Sequence, residues 1–112
     1  MRFLIVIEGV PGGPVLTPEQ TASGVKAMFA WAKRLKDSGR SEVEYCFADH
    51  AGGLMGGMCI HNVQTSEQLA EDLASFPFAA NSTFKVYPLI DMNAAQKIAD
   101  AACAQMMQMA KK

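Results

Sequence analysis

An α+β fold of order β-α-β-β-α-β, with one further helix at its C-terminal end, is what this 112-residue sequence predicts. Three observations carry it. Phe3, Ile5 and Ile7 alternate with Leu4, Val6 and Glu8, a run of period two with apolar groups on both sides. Glu42 to Val63 reads as two strands joined by a glycine-rich bend. Helical spacing precedes that pair and follows it, each helix opened by a threonine with a glutamine three residues on.

The first strand, apolar on both faces, is expected at the centre of a sheet with cover on both sides. The chain's own helices can supply one cover, and a second copy is expected to supply the other. Glu8 stands on the Leu4/Val6 side near the strand's end, where apolar neighbours would raise a carboxyl pKa. Pro11-Gly12-Gly13-Pro14 then makes a loop.

Thr17 caps the first helix, with Pro18 at the opening position and Gln20 completing a capping box. Val25, Met28, Phe29, Ala32 and Leu35 form its inward stripe, Trp31 lies off the stripe's centre, and Ser38-Gly39 ends it. In the central pair Val43, Tyr45 and Phe47 alternate with Glu42, Glu44, Cys46 and Ala48, as in a half-buried strand. Gly52-Gly53 and Gly56-Gly57 read as the bend, and Met58-Cys59-Ile60 as the next apolar run, ended by His61-Asn62.

Thr65 and Gln68 repeat the capping pattern, with Leu69, Leu73 and Phe76 inward and Pro77 closing the helix. Thr83 to Leu89 is the last strand, and Pro88 belongs at its end or on a sheet edge. Asp91 or Asn93 caps a final helix running through Met109. Its alanines and methionines suit packing on its own domain or on a partner chain. Two split β-α-β units make a ferredoxin-like sheet with helices on one face. The expectation is one domain, with a ferredoxin-like core over 1–90 and a C-terminal helix over 91–112, paired with a second copy as a dimeric α+β barrel.

Composition narrows the function. Half the residues are hydrophobic and 19% charged, with a net charge of −1, so neither nucleic acid nor an anionic membrane is expected as a partner. Three cysteines without a CxxC argue for a reducing cytoplasm, with Cys46 and Cys59 read as small buried hydrophobes able to face each other across the central pair. MRFLIVIEGV is too short and too soon interrupted by Glu8 for a signal peptide or a membrane span. His50 and His61 with those two cysteines lack a zinc spacing, so no metal is expected. No Gly-Lys-Ser/Thr follows the glycine pairs, and there is no nucleophile elbow.

Ser66-Glu67-Gln68-Leu69, then Phe76-Pro77-Phe78, then Phe84-Lys85-Val86-Tyr87-Pro88-Leu89 form a pattern that resembles the muconolactone isomerase family, as does Phe47-Ala48-Asp49-His50 at the end of the second strand. The resemblance runs from about Met1 to Asp91. The longer glycine-rich bend, the loop from Gly9 to Leu16 and the alanine/methionine tail depart from it. It implies a small cofactor-free isomerase that moves a proton on a small lactone or related carbonyl compound.

Such chemistry needs a base poised near neutrality and a donor for the enolate oxygen. The candidate catalytic residues are Glu8, His50 and His61, the residue types with a tunable proton. Tyr45, Tyr87 and Trp31 are candidate substrate-binding residues, the tyrosines as hydrogen-bond donors. Two further readings stand beside this one: a cofactor-free monooxygenase of the same barrel architecture, and a non-catalytic dimer that binds a small ligand or simply assembles.

Overall fold

β1 (Arg2–Gly9) lies between two neighbours, as a strand apolar on both faces requires. The structure, a computed structural model, describes residues 1–10, 13–48 and 54–111. In chain order β1 is followed by α1 (Pro18–Asp37), β2 (Ser41–Ala48), β3 (Leu54–Asn62), α2 (Ser66–Ala74), a 3-10 turn (Ala79–Asn81), β4 (Ser82–Pro88) and α3 (Met92–Ala110). The strands form one antiparallel sheet in the order β2-β3-β1-β4. This is the ferredoxin-like arrangement with an added helix. β4 is an edge strand and Pro88 ends it, so its missing donor breaks no ladder.

Caps follow the local sequence. Thr17 accepts from Gln20 N while the Gln20 side chain accepts from Thr17 N, a complete capping box. Thr65 also accepts from Gln68 N, but the Gln68 side chain reaches one residue further back, to Gln64 N. Of the two candidates for α3, Asp91 is the cap, its carboxylate 2.7 Å from Ala94 N.

Ile5, Ile7, Trp31, Leu35, Cys59 and Phe76 form the buried core, with Phe3, Met28, Leu69, Leu73, Phe78 and Phe84 packed around it. The inward stripe of α1 is turned from the expected one. Trp31 is buried beside Leu35, while Val25 and Phe29 are exposed. Aromatic packing sets that rotation: Phe76 meets Trp31 edge-on at 5.1 Å and Phe84 at 5.8 Å between ring centres. Gly24, two turns earlier, lets Phe78 pack against α1, since a Cβ there would lie 2.5 Å from the Phe78 ring.

Gly56 and Gly57 belong to β3 and not to the bend. A Cβ on Gly56 would lie 2.2 Å from the Ile7 carbonyl oxygen, and its φ of +156° suits only glycine. The residue therefore serves close strand approach. Gly52 and Gly53, also read as bend, lie outside the described residues.

Register settles which face each strand residue occupies. Leu4, Val6 and Glu8 share a face with Ile60, Met58 and Gly56 across β3, with Val43, Tyr45 and Phe47 across β2, and with Tyr87 on β4. Neither α1 nor α2 covers that face. The apolar side of β2 is therefore the open one, and Glu44 and Cys46 lie on the helix side.

α3 buries none of its residues on the rest of the chain. Met92, Ile98, Met106, Met107 and Met109 are all exposed. The molecule accordingly measures 65 × 31 × 25 Å with a radius of gyration of 18.6 Å, against about 13 Å for a compact chain of ~100 residues. Packing of α3 on its own domain is not what the fold contains. No helix among the described residues is long and apolar enough to cross a membrane.

Candidate functional site

A cavity of about 550 Å³ opens between α1 and the helix-covered side of the sheet. Its origin is geometric. α1 covers β1 with Met28, Trp31 and Leu35, and its Val25/Phe29 side overhangs β2 and β3, where Glu44, Cys46, Gly57 and Cys59 offer little bulk. The walls are mainly apolar, and among the described residues Glu44 is the one carboxylate in them. Burial holds the Glu44 carboxyl above its usual range, against the opposing pull of the Lys36 ammonium.

Beneath the cavity floor runs a line of polar groups. Cys59 Sγ lies 3.3 Å from His61 Nδ1. His61 Nε2 faces Asp72 Oδ2 at 3.7 Å, and Asp72 Oδ1 receives Arg40 Nη1 at 2.6 Å. The Trp31 indole N–H donates to the Asp72 carbonyl oxygen at 3.1 Å and to Ser75 Oγ at 3.0 Å, fixing α2 against α1. Burial lowers the His61 pKa, with Asp72 pulling it up and Arg40 pressing it down. The ring is thus neutral at neutral pH. Burial also pushes the Cys59 thiol up to about 12, with the Glu44 carboxylate adding to the effect.

The expected site residues are scattered. Glu8 is about half exposed on the open face, 3.7 Å from Lys85 Nζ, and is not enclosed by apolar neighbours. Its strand ends there, so solvent reaches the carboxylate. Glu8 and His61 sit on adjacent strands but share no pocket: Glu8 pairs with Gly56 and His61 with Phe3, at opposite ends and on opposite faces. His61 is fully buried. Tyr45 and Tyr87 are exposed on the open face with Glu8, although Tyr45 also borders the cavity at the β2 edge. Trp31 is buried and forms part of the cavity wall. His50, and with it the Asp49-His50 segment, lies outside the described residues.

Glu44, Asp72 and Arg40 were not singled out by sequence reasoning, and Cys59 was read only as a small buried hydrophobe, which it is. One signal was available. Cys59 and His61 are two apart on a strand, which puts both on one face. Nothing local announced Asp72, which arrives from α2, or Glu44, which an alternating strand presents as a solvent-facing residue. Cys46, read as buried, is exposed at the cavity mouth, and its strand partner is Gly57 and not Cys59. Among the described residues no group of three or more His, Cys, Asp or Glu side chains is disposed to hold a metal ion.

Muconolactone isomerase superposes with a TM-score of 0.69 at 18% identity, over 81% of this chain and 90% of that one. The chain has the fold of muconolactone isomerase. A 5-chloro-2-hydroxyhydroquinone dehydrochlorinase from Burkholderia phenoliruptrix AC1100, in complex with 2,5-dihydroxybenzoquinone, matches with a TM-score of 0.64 at 18% identity, over 84% of this chain and 98% of that one. No family model matches the sequence, and no curated protein does. The likeness to muconolactone isomerase is thus one of fold.

Proposed function

We propose that the protein is a small isomerase- or lyase-like enzyme that moves a proton on a small, largely apolar carbonyl compound without a cofactor, and that Glu44 is the base. The observation that carries this reading is the cavity of about 550 Å³ with one carboxylate of raised pKa in an apolar wall. The ionised Glu44 takes a proton from the carbon next to the carbonyl. The C–H pair moves into the enolate, and the proton returns at another carbon of the conjugated system. No atom is gained or lost. The isomerase and dehydrochlorinase of like fold act on small compounds, which accords with the cavity's size.

The test uses deuterium. Small unsaturated lactones and β,γ-unsaturated ketones, incubated with the protein in heavy water, are expected to exchange at the activated carbon. Glu44→Gln should slow the exchange by about 10²–10⁴-fold. Because only the ionised carboxylate is a base, the wild-type rate should fall as pH drops through the raised pKa of Glu44. Exchange that persists undiminished in Glu44→Gln would remove Glu44 from the reaction. Ligand binding without exchange would favour a small-ligand carrier using the same apolar cavity.

The acting form is proposed as a homodimer joined through the open sheet face. Leu4, Val6, Val43, Met58, Ile60 and Tyr87 there form a continuous apolar surface, of a kind monomers rarely leave uncovered. Stable interfaces bury about 1,600 Å² in total. Sedimentation at micromolar concentration is expected to give twice the chain mass. Removal of residues 92–112 should lower that mass or the melting temperature, since α3 buries none of its residues on its own chain. A truncated chain that keeps both would place α3 outside the assembly.

A further inference from the structure

Cys59 stands between the cavity and a base. Cys59 lines the cavity floor, and next to its sulfur come His61 at 3.3 Å and, on the far side of the ring, Asp72 at 3.7 Å. His61 Nε2 and Asp72 Oδ2 are buried and face each other at 3.7 Å, and neither has a hydrogen-bond partner among the described residues. Asp72 is itself held by Arg40 at 2.6 Å. A carboxylate opposite Nε2 draws the ring proton to that nitrogen, which leaves the lone pair of Nδ1 towards sulfur. In that tautomer the Cys59 S–H donates to Nδ1, 3.3 Å away. Nucleophile, base and orienting carboxylate in line, with a cavity on the nucleophile's open side, is the order of groups that activates a thiol or hydroxyl.

We propose that Cys59 is a nucleophile of this cavity, with His61 as its general base and Asp72 as a positioning residue, and that it takes a small, uncharged α,β-unsaturated carbonyl compound. The sulfur lone pair forms a C–S bond at the β-carbon, and the C=C electron pair moves into an enolate. The S–H proton passes to His61 Nδ1, giving an imidazolium that faces Asp72. The enolate's α-carbon then takes that proton, so S–H has added across the double bond. The step shares the cavity with the proposed proton transfer but does not depend on Glu44.

Resting thiolate is scarce, since burial pushes the thiol up to about 12. Removal of the proton must accompany attack, as for a hydroxyl nucleophile. His61 is suited to this because it is unprotonated at neutral pH. The charged groups around the ring are Asp72 from α2, Arg40 ahead of β2, and Glu44 beyond Cys59.

The experiment uses 2-cyclohexen-1-one on a chain carrying Cys46→Ser and Cys103→Ser, with the adduct followed by mass spectrometry from pH 5 to pH 9. Cys46 and Cys103 are the exposed thiols, so only Cys59 then remains. The expected rate is level between pH 7 and 9 and falls about tenfold per pH unit below the imidazole's lowered pKa. Asp72→Asn should slow modification about tenfold or more at pH 7. Two results would overturn the proposal. One is a folded chain left unmodified under conditions that modify the denatured chain. The other is a rate climbing tenfold per unit from pH 7 to 9, the signature of free thiolate without a base. Should circular dichroism show that Asp72→Asn is unfolded, the pH profile of the Asp72-containing chain decides alone.

Discussion

Trp31→Ala is expected to lower stability by about 3–5 kcal/mol, the range for truncating a buried aromatic to alanine. Trp31 is 5% exposed and touches the core through Phe76 at 5.1 Å. Its N–H also joins α1 to the Asp72 carbonyl and Ser75 Oγ. The substitution therefore removes three things at one position: ring packing, the helix-to-helix bond, and part of the cavity wall. A domain of this size has only about 5–15 kcal/mol in all. The melting midpoint should fall by ~10 °C or more at equal protein concentration. Trp31→Phe retains most of the packing and loses the donor, so it should fall in between. An alanine variant that melts with the parent chain would show that the α1–α2 contact does not hold the core.

Asp72→Ala is the second large effect. Breaking a fully buried ion pair typically costs 3–5 kcal/mol, but the Arg40 side chain is 35% exposed and can turn to water, so roughly 2–3 kcal/mol is expected. The variant also carries a pH signature. Asp72 holds the His61 pKa up while burial and Arg40 hold it down, so the imidazole should become still harder to protonate without the carboxylate. A base with a depressed folded pKa is protonated in the unfolded chain first. Between that lowered value and the ordinary one near ~6.5, the unfolded state binds more protons and stability falls as pH drops. Loss of Asp72 extends that window on the acid side. Urea unfolding followed downward from pH 7.5 should show the gap between variant and parent chain widening once pH falls through the parent's lowered imidazole pKa. An equal gap would uncouple Asp72 from His61.

The order of elements was legible because it rests on local chemistry. Capping residues, proline positions and period-two runs act within a few residues of themselves. Thr17, Asp91 and Pro88 accordingly do in the structure what their neighbours in sequence imply. The central place of β1 was legible for the same reason, since apolar groups on both faces leave a strand no edge position.

Facing was not legible. Alternation shows that Val43, Tyr45 and Phe47 share a side of β2, but not whether helices lie over that side. Register with β3 decides it, by setting Glu44 opposite Cys59. Glu8 illustrates the same gap: its apolar neighbours in sequence suggested desolvation, and the open sheet leaves it in solvent beside Lys85.

The sequence by itself determined the succession of strands and helices, the caps, and the central strand of the sheet, because those depend on forces that act along a few consecutive residues. Only the tertiary structure decided that α1 turns Trp31 inward, that a cavity forms over Glu44 and Cys59, and that Asp72 meets His61 from a different element. Those outcomes depend on which surfaces meet across a fold, and two residues 11 positions apart, such as His61 and Asp72, carry no mark of that meeting until the chain has closed on itself.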